Sequence, residues 1–157
     1  MSKAIKIGDT KTLRQILNEH PLMLYSIVDQ KNYGSALHLA AKYDTRNNND
    51  ILSVLIDEYN ADTSLGNNGD SLPIYWAFTE MNKSSEPNIK PAQVIINSKS
   101  FQLYKRYILR GRCIDFIKEV YYPSNHGKII QQLIEEKIWS TLKIPVFSRF
   151  KYKRTLI

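Results

Sequence analysis

The chain of 157 residues carries 22 Lys and Arg against 15 Asp and Glu, a net charge of +7. Its length excludes two large domains and admits either one domain with a real core or a short repeat array with an appendage. An apolar content of 43% is too high for a disordered chain. A single cysteine, Cys113, excludes an intramolecular disulfide framework and, with only three histidines, a Cys-rich zinc module. We therefore expect a folded protein of a reducing compartment that holds no metal or other cofactor.

The first residues contain no apolar segment typical of a secretory signal, and no stretch reaches the ~18 consecutive apolar residues that cross a bilayer. These patterns favour a cytoplasmic protein. They do not bear on export by a specialised secretion system, whose signals follow other rules.

An amphipathic helix is predicted near the N-terminus, where apolar residues recur at i, i+3, i+4 spacing at Leu13, Ile16 and Leu17. Asp9 or Thr10 can cap the start of this helix. Pro21 ends it, because the residue before a proline is pushed out of the α region.

Residues 35–41 read S-A-L-H-L-A-A and follow a turn signal formed by Asn32, Tyr33 and Gly34. A second amphipathic helix is predicted after them, with the same apolar spacing as the first at Leu52, Leu55 and Ile56. Asp50, at the end of a polar N-N-N-D run, can cap it.

The third segment repeats this order. Residues 72–78 read L-P-I-Y-W-A-F and follow a turn signal at residues 67–69. A polar loop at residues 81–91 then precedes a helix carrying Ala92, Ile95 and Ile96. A loop of this kind is usually a tolerated surface insertion and only sometimes a recognition element.

These segments resemble the ankyrin repeat, whose inner helix opens with T-P-L-H-x-A-A. Residues 35–41 match it with Ser for Thr and Ala for Pro, and residues 72–78 match it at Pro73 and Ala77. Upstream, residues 4–9 read A-I-K-I-G-D and resemble the A-A-x-x-G-D of a capping repeat.

The spacing of these copies is close to the period of ~33 residues that the family shows. Ala4, Ala40 and Ala77 lie 36 and 37 residues apart. Residues 52–56 resemble the family's V-x-x-L-L, and residues 59–63 resemble the G-A-D-V that closes a repeat. Three matches in register make the resemblance specific.

The resemblance implies an all-α solenoid of helix-turn-helix repeats with short β-hairpin tips. We expect about three repeats in residues 1–98, the first of them a cap. Residues 99–157 are predicted to form a basic helical C-terminal extension that includes a degenerate fourth repeat and a cap, since the last repeat must shield its apolar side.

Ankyrin repeats are binding scaffolds, so the resemblance implies noncatalytic protein–protein interaction through the hairpin tips and the concave inner-helix face. Carried over to this chain, the candidate partner-binding residues are Asn32, Tyr33, Leu39, Lys42, Tyr43, Asn68, Asp70 and Trp76. Tyr and Trp suit such contacts because they offer large, stiff contact areas. For Trp76 and Tyr75 the alternative is packing between repeats, and both interpretations stand equally.

Catalysis has no positive signal in the sequence. In the family, the imidazole corresponding to His38 hydrogen-bonds within the turn and ties adjacent repeats together, and no nucleophile or metal-ligand spacing accompanies it here. Cys113 and His126 could pair as nucleophile and base, but their order and spacing do not favour it, and a lone cysteine is more often a small buried residue. Phosphate-binding loops, serine-hydrolase elbows and H-E-x-x-H motifs do not occur. We expect no enzyme.

The excess positive charge belongs to the last third of the chain. Residues 1–98 have a net charge of −2, and residues 99–157 have a net charge of +9. The basic patch predicted there consists of Lys105, Arg106, Arg110, Arg112, Arg149, Lys151, Lys153 and Arg154. Such groups attract phosphates, and the interleaved aromatic residues can stack on bases or lie at a membrane interface. The alternatives are an acidic protein partner or a solvated face without a partner, which is what charge runs usually are.

We therefore expect a monomeric interaction protein whose partner is another protein, including one with an acidic surface. The alternative is nucleic-acid or anionic-membrane binding through the basic segment. The composition, rich in Asn, Ile, Lys and Tyr, resembles short ankyrin proteins of intracellular bacteria and large DNA viruses. That resemblance implies a host-directed effector.

Overall fold

The computed structural model describes residues 1–31, 33–47, 49–67, 71–81, 83–86, 88–101 and 132. The chain divides into two units, Met1–Gln102 and Leu103–Ile157. All the helices and strands given below belong to the first unit, which is mostly helical, as predicted. The helices predicted for the basic extension lie outside the described residues, apart from residues 99–101 and 132.

The chain opens with two short helices, α1 (Ser2–Ile7) and α2 (Thr10–Glu19). Asp9 caps α2, as predicted, by accepting a hydrogen bond from the Thr12 N–H at 2.9 Å. The helix ends before Pro21, which begins a 3-10 turn (Pro21–Tyr25). Leu13 and Leu17 of the predicted apolar face are buried, while Ile16 is half-buried.

Gly8 joins α1 to α2 in the left-handed region, with φ of 79°. A Cβ at this position would lie 2.7 Å from the Asn49 side chain, and the left-handed conformation itself is unfavourable for any residue with a Cβ. We expect Gly8→Ala to lower the free energy of unfolding by about 1–2 kcal/mol, measured by urea denaturation. Lys11→Ala, on an exposed position of α2, is the control and should change stability by less than half as much.

A β-hairpin follows, formed by β1 (Ile27–Asp29) and β2 (Gly34–Ser35). The strands are antiparallel, and Ile27 pairs with Ser35. The hairpin tip therefore falls at the turn signal that the sequence predicts. It leads directly into α3 (Ala36–Asn47), in which all residues from Ala36 to Ala41 are buried.

The next helix, α4 (Ile51–Ser53), continues as a turn of π-helix (Val54–Glu58). Its predicted apolar residues Leu52, Leu55 and Ile56 are all buried. The amphipathic pattern is thus confirmed, although the helical geometry is not α throughout.

The cap predicted for α4 was wrong. Asp50 occupies the N-cap position but makes no side-chain capping bond, because its carboxylate pairs instead with the Lys90 ammonium at 2.5 Å. The buried Asp44, near the end of α3, takes over by accepting a hydrogen bond from the Leu52 N–H at 2.7 Å. The cap thus comes from a residue eight positions away that the fold brings to the helix start.

The last described pair is α5 (Pro73–Met81) and α6 (Lys90–Asn97). The predicted residues Ala92, Ile95 and Ile96 of α6 are buried. Helix α3 packs against both α1 and α5, and α6 contacts α3, α4 and α5. In the described part of the chain, no helix is both long enough and apolar enough to cross a membrane.

Side-chain bonds also join consecutive helix pairs at their far ends. The Arg14 guanidinium pairs with the Glu58 carboxylate at 2.6 Å, and both are exposed enough for solvent to weaken the pair. The Thr63 hydroxyl, which is buried, hydrogen-bonds the Ser98 hydroxyl at 2.8 Å. Segments more than 30 residues apart are thus held together beyond their apolar contacts.

Candidate docking surface

The imidazole of His38 links the start of α3 to the loop before α5. Its Nδ1 accepts a hydrogen bond from the Ser35 backbone N–H at 3.3 Å and lies 2.8 Å from the Ser35 hydroxyl. Its Nε2 lies 2.8 Å from the Ser71 carbonyl oxygen. These bonds require one tautomer, because Nδ1 must be the acceptor and Nε2 must therefore carry the proton that it donates to Ser71. The structural role expected of His38 is confirmed.

Burial also keeps this ring neutral. His38 is 1% exposed, and removal from water lowers the pKa of its imidazole, while the bond to the Ser71 carbonyl opposes this by favouring the charged form. Protonation would place a second N–H on Nδ1, facing the Ser35 N–H. Both ring nitrogens are therefore occupied by hydrogen bonds within the protein, which makes the imidazole unsuited to act as a general base for a substrate.

Two hydrogen bonds between Asn67 and Ser71 also join residues of the loop before α5. The Asn67 N–H donates to the Ser71 carbonyl at 2.9 Å, and the Ser71 N–H donates to the Asn67 side-chain oxygen at 3.0 Å. The Ser71 carbonyl therefore receives bonds from both Asn67 and His38. This fixes the two ends of the turn that the sequence predicts at residues 67–69.

Trp76 packs across the hairpin and also faces the surface. Its ring meets the His38 ring edge-on at a centroid distance of 5.3 Å. A Cβ on Gly34 would come within 2.6 Å of the indole, so glycine is required for this close approach. The indole is thus in contact with β2 and α3. These contacts fit the packing interpretation of Trp76, and its role in partner binding stays a prediction.

A groove of about 350 Å³ lies beside Trp76, between α3 and α5. Its walls combine one aromatic ring with charged and polar groups, contributed by Lys42, Asn67, Ser71, Trp76, Thr79, Glu80 and Lys83. This volume is at the small end of the range for ligand sites, so it suits one or two side chains of a partner.

The charges of the groove are only partly neutralised within it. Glu80 is 8% exposed and pairs with the Lys83 ammonium at 2.6 Å. The Lys42 ammonium lies 5.7 Å from the centroid of the Tyr43 ring, and the Lys6 ammonium lies 5.9 Å from the same centroid. Tyr43 is thus flanked by two cations beside the groove.

The predicted partner-binding residues divide into three groups. Lys42, Tyr43 and Trp76 are half-buried at or beside the groove, and Tyr33 at the hairpin tip is 54% exposed. Leu39 is a correction, because it is 1% exposed and belongs to the core, where no partner can touch it. The remaining predicted residues, Asn32, Asn68 and Asp70, lie outside the described residues.

The groove also contains residues that the prediction missed, among them Thr79, Glu80 and Lys83. The sequence did carry a signal for them. Thr79, Glu80 and Lys83 follow Trp76 at i+3, i+4 and i+7, which places all four on one side of a helix or its immediate extension.

The residues of the predicted basic patch, from Lys105 to Arg154, all lie outside the described residues, as do Cys113 and His126. Within the described ranges, no group of three His, Cys, Asp or Glu side chains is placed to hold a metal ion.

No protein-family model matches the sequence, and comparisons with curated proteins and with solved structures also find no match.

Proposed function

We propose that the chain is a short ankyrin-type solenoid that binds another protein without catalysis, through the groove and the hairpin tip. The observation that carries the proposal is the His38 bridge. The imidazole bonds both Ser35, at the opening of one helix pair, and Ser71, 36 residues later at the opening of the next. This is the bond that the T-P-L-H resemblance implies between adjacent repeats.

The exposed aromatic residues support a docking role for this side of the molecule. Tyr33 is 54% exposed on the hairpin tip, and Trp76 is held in place by Gly34 and His38. A side chain that is already immobilised loses little entropy on binding, so it contributes more of its contact area to affinity. Rigid aromatic anchors of this kind are enriched among interface residues that dominate binding energy.

The partner is proposed to be a protein of a host cell, which follows from the resemblance of the composition to host-directed ankyrin proteins. Binding of nucleic acid or anionic membrane through residues 99–157 is the competing proposal, supported by the net charge of +9 in that segment. The docking proposal is preferred because Tyr33 and Trp76 offer aromatic contact area at the hairpin tip and in the groove.

The proposal is tested by affinity purification from host-cell lysate with quantitative mass spectrometry. We expect the full chain to enrich a partner, and the double variant Tyr33→Ala, Trp76→Ala to reduce that enrichment at least tenfold, as loss of two central aromatic contacts does. Tyr25→Ala is the matched control, since Tyr25 is 52% exposed but lies outside both the groove and the hairpin.

Two outcomes would contradict the docking proposal. The first is equal enrichment by the double variant and by the control. The second is a partner that is kept by the double variant and lost when residues 147–157 are removed, which would support the basic segment instead. Both variants should be checked for an unchanged far-ultraviolet circular dichroism spectrum before the comparison.

A further inference from the structure

The accessible charge of α1, α3 and α5 is positive, although residues 1–98 as a whole are slightly acidic. The basic side chains on these helices, or directly after them, are Lys3, Lys6, Lys42, Arg46 and Lys83. The acidic side chains there are Asp44 and Glu80, both buried, at 1% and 8% exposure, and Asp9 directly after α1, whose carboxylate accepts hydrogen bonds from Thr12. A partner that meets this side therefore meets cations.

Lys42 differs from Lys83, which lines the same groove, and from Lys90 on α6. Lys83 pairs with Glu80, and Lys90 pairs with Asp50. Among the described residues, no carboxylate forms an ion pair with Lys42, and its ammonium contacts the Tyr43 ring instead. This leaves a half-buried cation that has no ion-pair partner among the described residues, in a groove open to a partner.

The surroundings of this cation suit a short anionic side chain better than a polyanion. A polyanion binds through many cations that follow its backbone. The groove instead offers Lys42 together with the Glu80 carboxylate, whose charge repels a second anion and is already paired with Lys83. Trp76 provides an apolar wall for methylene groups, and the Ser71 and Thr79 positions add polar groups at the rim.

We propose that the groove binds an Asp or Glu side chain of an acidic peptide segment in the partner, with the carboxylate on the Lys42 ammonium and the methylene stem against Trp76. This rests on the proposed function, and it adds the chemistry of the partner and the residue that selects it. The carboxylate would replace the Tyr43 ring as the main contact of the ammonium. Partial burial strengthens such a charge-assisted bond relative to one in open water.

The test uses the full-length protein and two matched probes. The first is a 12-residue peptide with blocked termini, in which Glu occupies every second position and Ala or Leu the others. The second is the same peptide with Gln in place of each Glu. The readout is the indole N–H signal of Trp76 in a ¹⁵N-labelled sample, assigned through a Trp76→Phe variant because the chain has two tryptophans. We expect the Glu peptide to shift this signal in a saturable way and the Gln peptide to leave it unchanged.

The variant Lys42→Glu should weaken binding of the Glu peptide at least tenfold, because it replaces an attraction with a repulsion inside the groove. Lys11→Glu on α2 makes the same charge change on an exposed residue outside the groove and should weaken binding less than twofold. Lys42→Gln, which keeps most of the stem, should also weaken binding, so that the result does not depend on how well one variant folds.

Three results would overturn the inference. One is an equal loss for Lys11→Glu and Lys42→Glu, which would mean that only net charge matters. Another is a Trp76 shift of the same size with the Gln peptide. The third is a partner from the lysate that is lost by the Tyr33 and Trp76 variant but kept by Lys42→Glu, in which case the proposed function stands and the carboxylate site does not.

Discussion

Replacing His38 with alanine should lower the free energy of unfolding by about 2–4 kcal/mol at neutral pH. Three effects add. The Ser35 N–H loses its bond to Nδ1, the Ser71 carbonyl loses its bond from Nε2, and a cavity forms where the ring contacts Trp76. The Ser71 carbonyl keeps its bond from the Asn67 N–H, so most of the cost comes from the Ser35 N–H and from the cavity.

The measurement is urea denaturation followed by circular dichroism, with His20→Ala as the control. His20 is exposed at the end of α2, so its loss should change stability by less than about 0.5 kcal/mol. A loss below about 1 kcal/mol for His38→Ala would show that the bridge between α3 and the loop before α5 is not a main support of the fold.

The second large effect concerns Asp44 and should appear as a pH dependence. Burial raises the pKa of the Asp44 carboxyl from 3.8 to about 6, and the nearby Asp50 adds to this. Hydrogen bonds from the Leu52 and Ile51 backbone N–H groups and the charge of Lys90 act in the opposite direction but do not offset burial. One carboxyl oxygen, Oδ1, is buried and has no hydrogen-bond partner among the described residues.

A raised pKa in the folded state fixes the sign of the effect. Below pH 3.8 the carboxyl is protonated in both states and its contribution to stability is complete. As pH rises through 6, the unfolded chain carries the charge in water while the folded chain carries it in the core, so stability is lost. The difference of about 2 pKa units corresponds to about 3 kcal/mol lost between roughly pH 4 and pH 7.

The variant Asp44→Asn removes this titration and keeps an oxygen that can accept from the Leu52 N–H. The stability of the variant minus that of the native protein should therefore rise by about 3 kcal/mol from pH 4 to pH 7. The difference between the two proteins is used because other groups, including the buried His38, also change stability in this pH range. Their contributions are the same in both proteins and therefore cancel. Denaturation midpoints at several pH values measure it, and a difference that stays constant with pH would show that Asp44 is not the titrating group.

These two buried polar residues illustrate what a sequence can and cannot predict. The role of His38 was predicted from the resemblance of residues 35–41 to the T-P-L-H motif, and its bonds to Ser35 and Ser71 fit that resemblance. The role of Asp44 was not, because nothing in the local sequence says that a residue at the end of α3 will lie at the start of α4. Asp50 has the better local pattern for a cap, but its carboxylate forms an ion pair with Lys90 on α6 instead.

The same distinction applies to the candidate docking surface. Leu39 and Trp76 were both predicted as partner-binding residues, from the same position of two similar segments, but Leu39 is buried and Trp76 is half-buried beside the groove. Leu39 lies in α3, which packs against both α1 and α5, whereas the indole of Trp76 lies against Gly34 and His38 and lines the groove. A pattern that repeats along the chain does not repeat in burial.

The amino-acid sequence by itself determined the order of helices and turns, since apolar spacing, proline and glycine act over a few residues. The sequence also shows that the net charge of +7 divides into a slightly acidic first part and a strongly basic last third. Only the tertiary structure decided which charges remain available. It buried Asp44 and Glu80, paired Lys90 with Asp50, which is 40 residues away in the chain, and left Lys42 beside the groove, because burial and such pairing depend on neighbours that are distant in the sequence.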